Sequence, residues 1–564
     1  MPYRSGRHFL QIPGPTNVPD RVLRAIDRAT MDHRGPEFGP MGLEILEGLK
    51  AVFQTRATVV IYPASGTGAW EAALVNTLSP GDRVLMFETG HFASLWHKMA
   101  TKLGLSVDLV PTDWRRGVDP VAVEAKLKED REQRIKAVCV VHNETSTGVA
   151  SRIGAIRKAI DAARHPALYM VDTISSLASI DYRHDEWGVD VTVAGSQKGL
   201  MLPPGLSFNC VSEKARKASQ SAKLPRSYWA WDEMLSSNKT GYFPYTPATN
   251  LLYGLRESLA MLEEEGLQNV FARHARHAES TRRAVRAWGL EVLCAVPEEY
   301  SNSLTAVMMP AGHDADALRK IILEAYDMSL GTGLGKLAGK VFRIGHLGDF
   351  NDLMLAGTLA GIEMGFALAG VPHRKGGVLA ALDHSADTRG AFFRGGLMKF
   401  AKWSTLALLA LTAAPAFAWE PTKPVEIVVA AGAGGASDQM ARMMQAAIQK
   451  NNLMKQPMVV SLKGGASGAE ALIYMKSSAG DPHKVLIAYS LIYMLPLSAK
   501  IPFNWRELTP VSVIALDQFV LWDNTTLPHK SVKEFIAAAK GANPPFKMGG
   551  TGSKREDHVL TVFL

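Results

Sequence analysis

The sequence predicts an α/β protein with a largely parallel sheet over residues 1 to about 382, with a second, smaller α/β segment after it. Three observations predict it. Short apolar, β-rich runs alternate with longer amphipathic stretches. Each run is short enough to be one buried strand. Polar, glycine-rich clusters follow directly on several of the runs, where open parallel sheets bind their ligands. The chain has 564 residues, room for three or four domains at roughly 150 residues each. Hydrophobic residues make up 47% and charged residues 21%, ordinary globular usage that excludes collagen-like, low-complexity and acidic disordered classes. Sixty-two Lys and Arg against 54 Asp and Glu give +8. No dense basic block with interleaved aromatics accompanies that charge, so nucleic acid is not the expected partner. The three cysteines, Cys139, Cys210 and Cys294, form no CxxC and sit in apolar runs, which reads as buried core thiols and signals neither disulfides nor a zinc site.

The expected strands, in order, are Ala57–Tyr62, Arg83–Phe87, Lys136–Val141, Ala167–Val171, Asp190–Ala194 and Leu206–Val211. Helices are expected between them, as at Gly68–Leu78 and Gly154–Arg164. After Asn250 the character changes to long helices, then to a short strand-rich module around Val292–Met309 and Lys340–Gly345. That pattern predicts a large domain over 1–250 and a C-terminal region with a small domain over 251–382.

The chemistry is expected in the strand-exit loops. After ATVVIY comes Ser65-Gly66-Thr67-Gly68, a glycine-rich turn running into a helix start, where free backbone N–H groups and the helix dipole suit a phosphate. After KAVCVV comes HNETSTG, after ALYMV comes Asp172-Thr173-Ile174-Ser175-Ser176, and after DVTVA comes Gly195-Ser196-Gln197-Lys198-Gly199. A single lysine directly after a strand, in a loop of small polar residues, can hold an aldehyde cofactor as a Schiff base when confinement leaves its amine deprotonated. A carboxylate at the end of another strand can hold a pyridine nitrogen protonated and so make the ring an electron sink. Lys198 and Asp172 together describe a pyridoxal phosphate site. Each residue alone has a plainer reading, Asp172 as a helix N-cap and Lys198 as a solvated surface charge.

With these motifs on the page, residues 1 to about 380 resemble the class V pyridoxal-phosphate aminotransferases, in the serine-glyoxylate and alanine-glyoxylate branch. Further marks are Pro13-Gly14-Pro15-Thr16-Asn17, Asp32-His33-Arg34-Gly35-Pro36 and Phe342-Arg343-Ile344-Gly345-His346. The resemblance implies the fold type I architecture, with a mostly parallel seven-stranded sheet and a small C-terminal α+β domain. It implies that Lys198 carries the cofactor and shuttles the proton, that Asp172 faces the pyridine nitrogen, and that Ser65, Gly66, Thr67 and Gln197 cradle the phosphate. Thr145 matches the hydroxyl near the ring and substrate, and Phe92 the aromatic that stacks on the pyridine. Thr246 matches a phosphate contact crossing from the other subunit of a homodimer. Arg343 resembles the arginine that clamps the substrate carboxylate, a task for a planar bidentate fork.

Departures narrow the branch. Cysteine desulfurases usually place His before the lysine and need a Cys on a mobile loop, whereas Gln197 stands here and no loop Cys exists. Animal alanine-glyoxylate enzymes carry Trp at the stacking position and Tyr three residues before the cross-subunit Thr, against Phe92 and Phe243 here. A phosphoserine or aminophosphonate transaminase would want an added basic cluster that is not seen. The implied reaction moves the amino group of L-serine, or L-alanine, to glyoxylate, giving glycine and hydroxypyruvate or pyruvate, in a cytoplasmic enzyme with no membrane or nucleic-acid partner.

Near residue 398 the reading changes. Met398-Lys399-Phe400-Ala401-Lys402-Trp403 leads into STLALLALTAAPAFA, a basic start, a short apolar stretch and a small-x-small end that match a secretory signal peptide over 398–418. An Ala/Leu helix joining two domains is the alternative. Residues 383–397 show no hydrophobic period and read as a linker or translated spacer. Residues 419–564 carry a strand, a glycine-rich turn and a helix (PVEIVVAAGAGGASDQM), with further turns at Lys463-Gly464-Gly465 and Gly549-Gly550-Thr551. They resemble the periplasmic solute-binding component of tripartite tricarboxylate transporters, and the chain stops within an apolar stretch, so a truncated lobe is expected. A periplasmic carboxylate-binding protein with an incidental enzyme segment is therefore the rival reading, and a true bifunctional fusion a third.

Overall fold

The apolar runs become strands close to where the sequence places them. In chain order the strands of the first part are β1 (Phe9–Gln11), β2 (Thr58–Tyr62), β3 (Arg83–Glu88), β4 (Ser106–Pro111), β5 (Ile135–Val141), β6 (Asn143–Glu144), β7 (Val149–Ala150), β8 (Leu168–Asp172), β9 (Val191–Gly195), β10 (Ser207–Val211), β11 (Leu304–Met308), β12 (Met328–Thr332) and β13 (Val341–Gly345). The computed structural model describes residues 6–388, 420–499, 501–509, 511, 528 and 531–542. The chain divides into two units, residues 1–404 and 405–564.

Seven strands form the main sheet of the first unit, in the order β2-β10-β9-β8-β5-β3-β4. All pairs are parallel except those of β10, which runs antiparallel to β2 and β9. Continuous apolar runs are needed because helices cover both faces. In β5, Val138 and Val140 enter one core, and Ala137, Cys139 and Val141 the other. Tyr169 and Val171 of β8 likewise face one side, and Leu168 and Met170 the other. The seventh strand, β4, escaped the sequence reading because it is an edge. Its residues SVDLVP are only half-buried, with both ends exposed, so no apolar run marks it. The expected helix over 68–78 begins two residues earlier, at Gly66–Thr77. The long helical stretch is two helices, Thr249–Glu265 and Leu267–Ala287, separated at Gly266, whose φ of +79° is left-handed and ends the first.

The small domain's sheet has the order β1-β12-β13-β11. Its first strand comes from the N-terminus, β1 lying parallel to β12. The segment after β1 is thereby drawn back towards the large domain, where Thr16 N donates to Gln197 O (3.1 Å). Trp288, Leu330, Phe342, Ile344 and Phe366 pack the small-domain core. A helix over 377–388 continues past the expected boundary at 382. Buried Ser385 is held there against Ser280 (Oγ–Oγ 2.9 Å), so residues 383–388 are packed structure rather than linker.

The second unit contains β14 (Val425–Val429), β15 (Met458–Leu462) and β16 (Lys484–Ile487), all parallel in the order β15-β14-β16. Helices Ala436–Lys450 and Ala469–Ser477 accompany them. Val428, Ala430 and Leu472 pack one face, and Ile427, Val429 and Ala441 the other. The signal-like segment 398–418, the spacer beyond 388 and the Gly549–Gly550–Thr551 turn lie outside the described residues. Among the described residues no helix is long and apolar enough to cross a membrane.

Candidate active site

Parallel strands deliver their exit loops to one edge of the sheet, and there the loops after β2, β3, β5, β8 and β9 enclose a cavity of about 210 Å³. Ser65, Gly66, Thr67, Phe92, Thr145, Asp172, Gln197 and Lys198 line it together. The sequence named all eight, in five separate segments, with Phe92 implied by the family resemblance.

Lys198 lies three residues past the end of β9 and is 7% exposed, which overturns the surface-charge reading. Its amine donates to Pro13 O. The Pro13-Gly14-Pro15-Thr16 segment crosses over the lysine, and Thr16 Oγ1 donates to Lys198 O (3.3 Å). Gly14 has φ +103°, a conformation that favours glycine, and a Cβ there would stand 2.4–2.7 Å from Lys198 Cδ, Cε and Nζ, pushing the lysine tail out of place. Burial, then the nearby charge of Arg343, lowers the amine to about 7, with Asp172 and Glu144 opposing. About half of such amines are neutral near pH 7, as a nucleophile for an aldehyde requires.

Asp172 closes β8 with its carboxylate buried. Oδ1 accepts the backbone N–H of Ile174 (2.7 Å) and Oδ2 the indole N–H of Trp70 (2.9 Å). No helix follows Asp172, residues 174–179 being turns, so the N-cap reading weighed from sequence does not hold; Oδ1 instead closes a local turn through Ile174. Burial raises the carboxyl to about 7, and those hydrogen bonds pull it back down.

Ser65 is the N-cap of the helix Gly66–Thr77, with extended backbone and without a capping bond from its own hydroxyl. The first N–H groups of a helix lack intrahelical partners and, with the dipole, favour an anion. A Cβ on Gly66 would lie 2.3 Å from Ile174 Cδ1, so a side chain there would force Ile174 to move.

The HNETSTG loop works as a bracket. Thr145 Oγ1 donates to Ser175 Oγ (2.8 Å), which also receives Asn143 Nδ2 (2.8 Å). Glu144, 1% exposed, accepts the backbone N–H groups of Phe92 (3.3 Å) and Ala93 (3.0 Å) and the hydroxyl of Ser146 (2.6 Å). It therefore caps the helix His91–Lys102 and fixes where Phe92 meets the cavity. Neither Glu144 nor Trp70 was singled out from sequence. A glutamate in a polar loop and a tryptophan inside a helix carry no local sign of the partner they meet.

Arg343 lies mid-strand in β13 between fully buried Phe342 and Ile344. It does not line the cavity. Nε donates to Thr332 O (2.7 Å) and Nη1 to Thr145 O (2.7 Å), leaving Nη2 without a hydrogen-bond partner among the described residues. Burial lowers the guanidinium to about 10, opposed by Glu144, so it is still a cation at neutral pH. Thr246 is elsewhere, in a groove with Thr30, Met31 and His33, and within one chain it does not join the others.

Pyridoxal phosphate fits this donor set. A near-neutral amine suits its aldehyde, a buried carboxylate without a hydrogen-bonded cation suits its ring nitrogen, and a glycine cradle at a helix start suits its phosphate. Gln197 Oε1 and Asn143 Oδ1 are buried without partners among the described residues, as expected of groups that complete their bonding with a ligand.

Comparisons with known proteins agree. Residues 8–336 match the family described as aminotransferase class-V, and residues 440–561 the tripartite tricarboxylate transporter family receptor. A serine–glyoxylate aminotransferase of Methylorubrum extorquens is 51% identical, over 67% of this chain and 96% of that protein. An L-aspartate–glyoxylate aminotransferase of Paracoccus denitrificans is 49% identical, with the same coverage of 67% and 96%. Among solved structures, the pyridoxamine-pyruvate aminotransferase of Mesorhizobium loti superposes with a TM-score of 0.64 at 28% identity, covering 69% of this chain and all of that one. With this sheet, this cavity and these matches, the chain belongs to the class-V aminotransferase family and is a pyridoxal-phosphate-dependent aminotransferase.

Proposed function

We propose that the first unit transfers the amino group of L-serine to glyoxylate, giving hydroxypyruvate and glycine. The observation that carries the reading is the convergence on one cavity of a buried, near-neutral Lys198, a buried Asp172 and a glycine-lined helix start. Two relatives of near-equal identity bear the names of serine and L-aspartate donors with a common glyoxylate acceptor, so the acceptor is the firmer half.

Bound pyridoxal phosphate supplies an electron sink for the pair released when the substrate Cα loses its proton. Ser65, Gly66, Thr67 and Gln197 would hold its phosphate, Phe92 would cover its ring, and Asp172 would keep its ring nitrogen protonated. Lys198 holds the cofactor covalently at rest. Its Nζ, freed when an amino acid takes its place, would accept the proton that leaves the substrate Cα and would serve as the proton carrier in both halves of a ping-pong cycle. Thr145 stands by the ring, and Arg343 offers Nη2 to the substrate carboxylate, which amino and keto acids share. Thr246 reaches the phosphate from a second copy, making the active enzyme a homodimer.

We further propose that residues 1–250 and 251–382 act as large and small domains in the cytoplasm. Residues 398–418 are an export signal, and the receptor-like segment 419–564 is periplasmic when made separately. The test is product analysis of the purified full chain with glyoxylate and L-serine, L-alanine or L-aspartate. Hydroxypyruvate formed at the highest kcat/KM supports the proposal. Preference for aspartate or alanine by tenfold or more refutes the serine assignment and leaves the transaminase intact.

A further inference from the structure

One helix touches both ends of the candidate site. Gly66–Thr77 begins at the glycine cradle, and one turn on it carries Trp70, whose indole N–H meets Asp172 Oδ2 at 2.9 Å. Trp70 is 2% exposed and Asp172 3%. The indole is held flat against Trp96, with ring centroids 5.9 Å apart and planes within 13°, so it has little freedom to turn away. An ionised carboxylate has about four acceptor positions. Ile174 N and Trp70 Nε1 take one on each oxygen, which fixes the plane of the group and leaves one position on each oxygen for a ligand.

From this geometry we infer that Trp70 is the positioning residue that aims Asp172 at the cofactor's ring nitrogen, so that a single helix sets both the phosphate cradle and the partner of the nitrogen. The inference rests on the reading that Asp172 faces that nitrogen. Its physical content is twofold. The indole N–H is a neutral donor that favours the charged carboxylate against the cost of burial. It also opposes rotation of the carboxylate, which would otherwise be restrained on one oxygen only.

The experiment compares binding of pyridoxal phosphate with that of its carbocyclic analogue, in which C–H replaces the ring nitrogen, to the cofactor-free full chain by equilibrium dialysis. The wild-type protein is expected to prefer pyridoxal phosphate. Trp70→Phe keeps an aromatic ring against Trp96 and removes the N–H. It is expected to weaken pyridoxal phosphate about tenfold, a change of about 1.4 kcal/mol, while the analogue changes by less than about twofold, which narrows the preference. Trp70→His, which retains a ring N–H, is expected to recover part of it. Equal weakening of both ligands in Trp70→Phe would show a packing role only and overturn the inference, as would no weakening of either. Asp172→Asn separates the two claims. If it abolishes the preference while Trp70→Phe does not, only the Trp70 inference fails. If it leaves the preference intact, the assignment of Asp172 fails and takes the inference with it.

Discussion

Replacing Gly14 with alanine tests how Lys198 is held. The added Cβ would stand 2.4 Å from Lys198 Cδ and 2.7 Å from Nζ, where ordinary contacts begin at 3.4 Å. The lysine tail or the backbone must therefore give by up to about 1 Å. The backbone is itself unfavourable for alanine, since a positive φ costs an L residue about 1–2 kcal/mol. Misplacing a reacting group by about 1 Å costs on the order of a hundredfold in rate. The phosphate cradle at Ser65, Gly66 and Thr67 is on a different loop and does not feel the change. Gly14→Ala is thus expected to bind pyridoxal phosphate within a few-fold of wild type, yet to convert it with amino acid about a hundredfold more slowly. Single-turnover absorbance of the loaded protein mixed with L-serine reads this rate directly. Conversion within about threefold of wild type would refute the claim that the Pro13–Thr16 segment positions the amine.

Two further outcomes follow from the charges. Arg343→Ala removes a buried cation tied to Thr332 O and Thr145 O and should raise KM for the amino acid at least about tenfold, the weight of a charge-assisted pair, with the cofactor Kd within about threefold. Equal losses in both, read by steady-state kinetics and dialysis, would mean that the arginine only braces the Thr145 loop. Capture of pyridoxal phosphate by the cofactor-free protein should rise with pH through about 7 and level off above 8. The Lys198 amine is lowered to about 7, so its reactive neutral form is roughly three-quarters populated at pH 7.5, against about one in a thousand for an ordinary lysine. Asp172, raised to about 7, ionises over the same range, and the midpoint belongs to the pair. Stopped-flow rates that keep climbing tenfold per pH unit up to pH 10 would show an ordinary lysine instead.

The sequence was most legible where local pattern and chemistry coincide. Buried central strands need unbroken apolar runs, and their exit loops carry the polar groups, so β2, β5, β8 and β9 and the residues after them could be named in advance. Arg343 was legible through the Phe342-Arg343-Ile344-Gly345-His346 motif that carries the family resemblance; strand alternation puts it on the face opposite Phe342 and Ile344, so its burial comes from the other side of the sheet. What escaped depends on distance along the chain. Strand β1 pairs with β12, a partner more than 300 residues away, and β4 is an edge whose Asp108 and Pro111 hide it. Trp70 and Glu144 act through hydrogen bonds to residues from other elements, and nothing in their own neighbourhoods announces it. Helical periodicity is weak around 383–388, and tertiary contacts such as that of Ser385 with Ser280 place that segment in the first unit.

The central claim is that Lys198 carries pyridoxal phosphate. Borohydride reduction of the purified full chain, followed by peptide mapping, tests it most directly. The account predicts one phosphopyridoxyl group per chain, on the peptide containing Lys198, and none after Lys198→Ala. A reduced adduct on another lysine, or one that persists in Lys198→Ala, would contradict it.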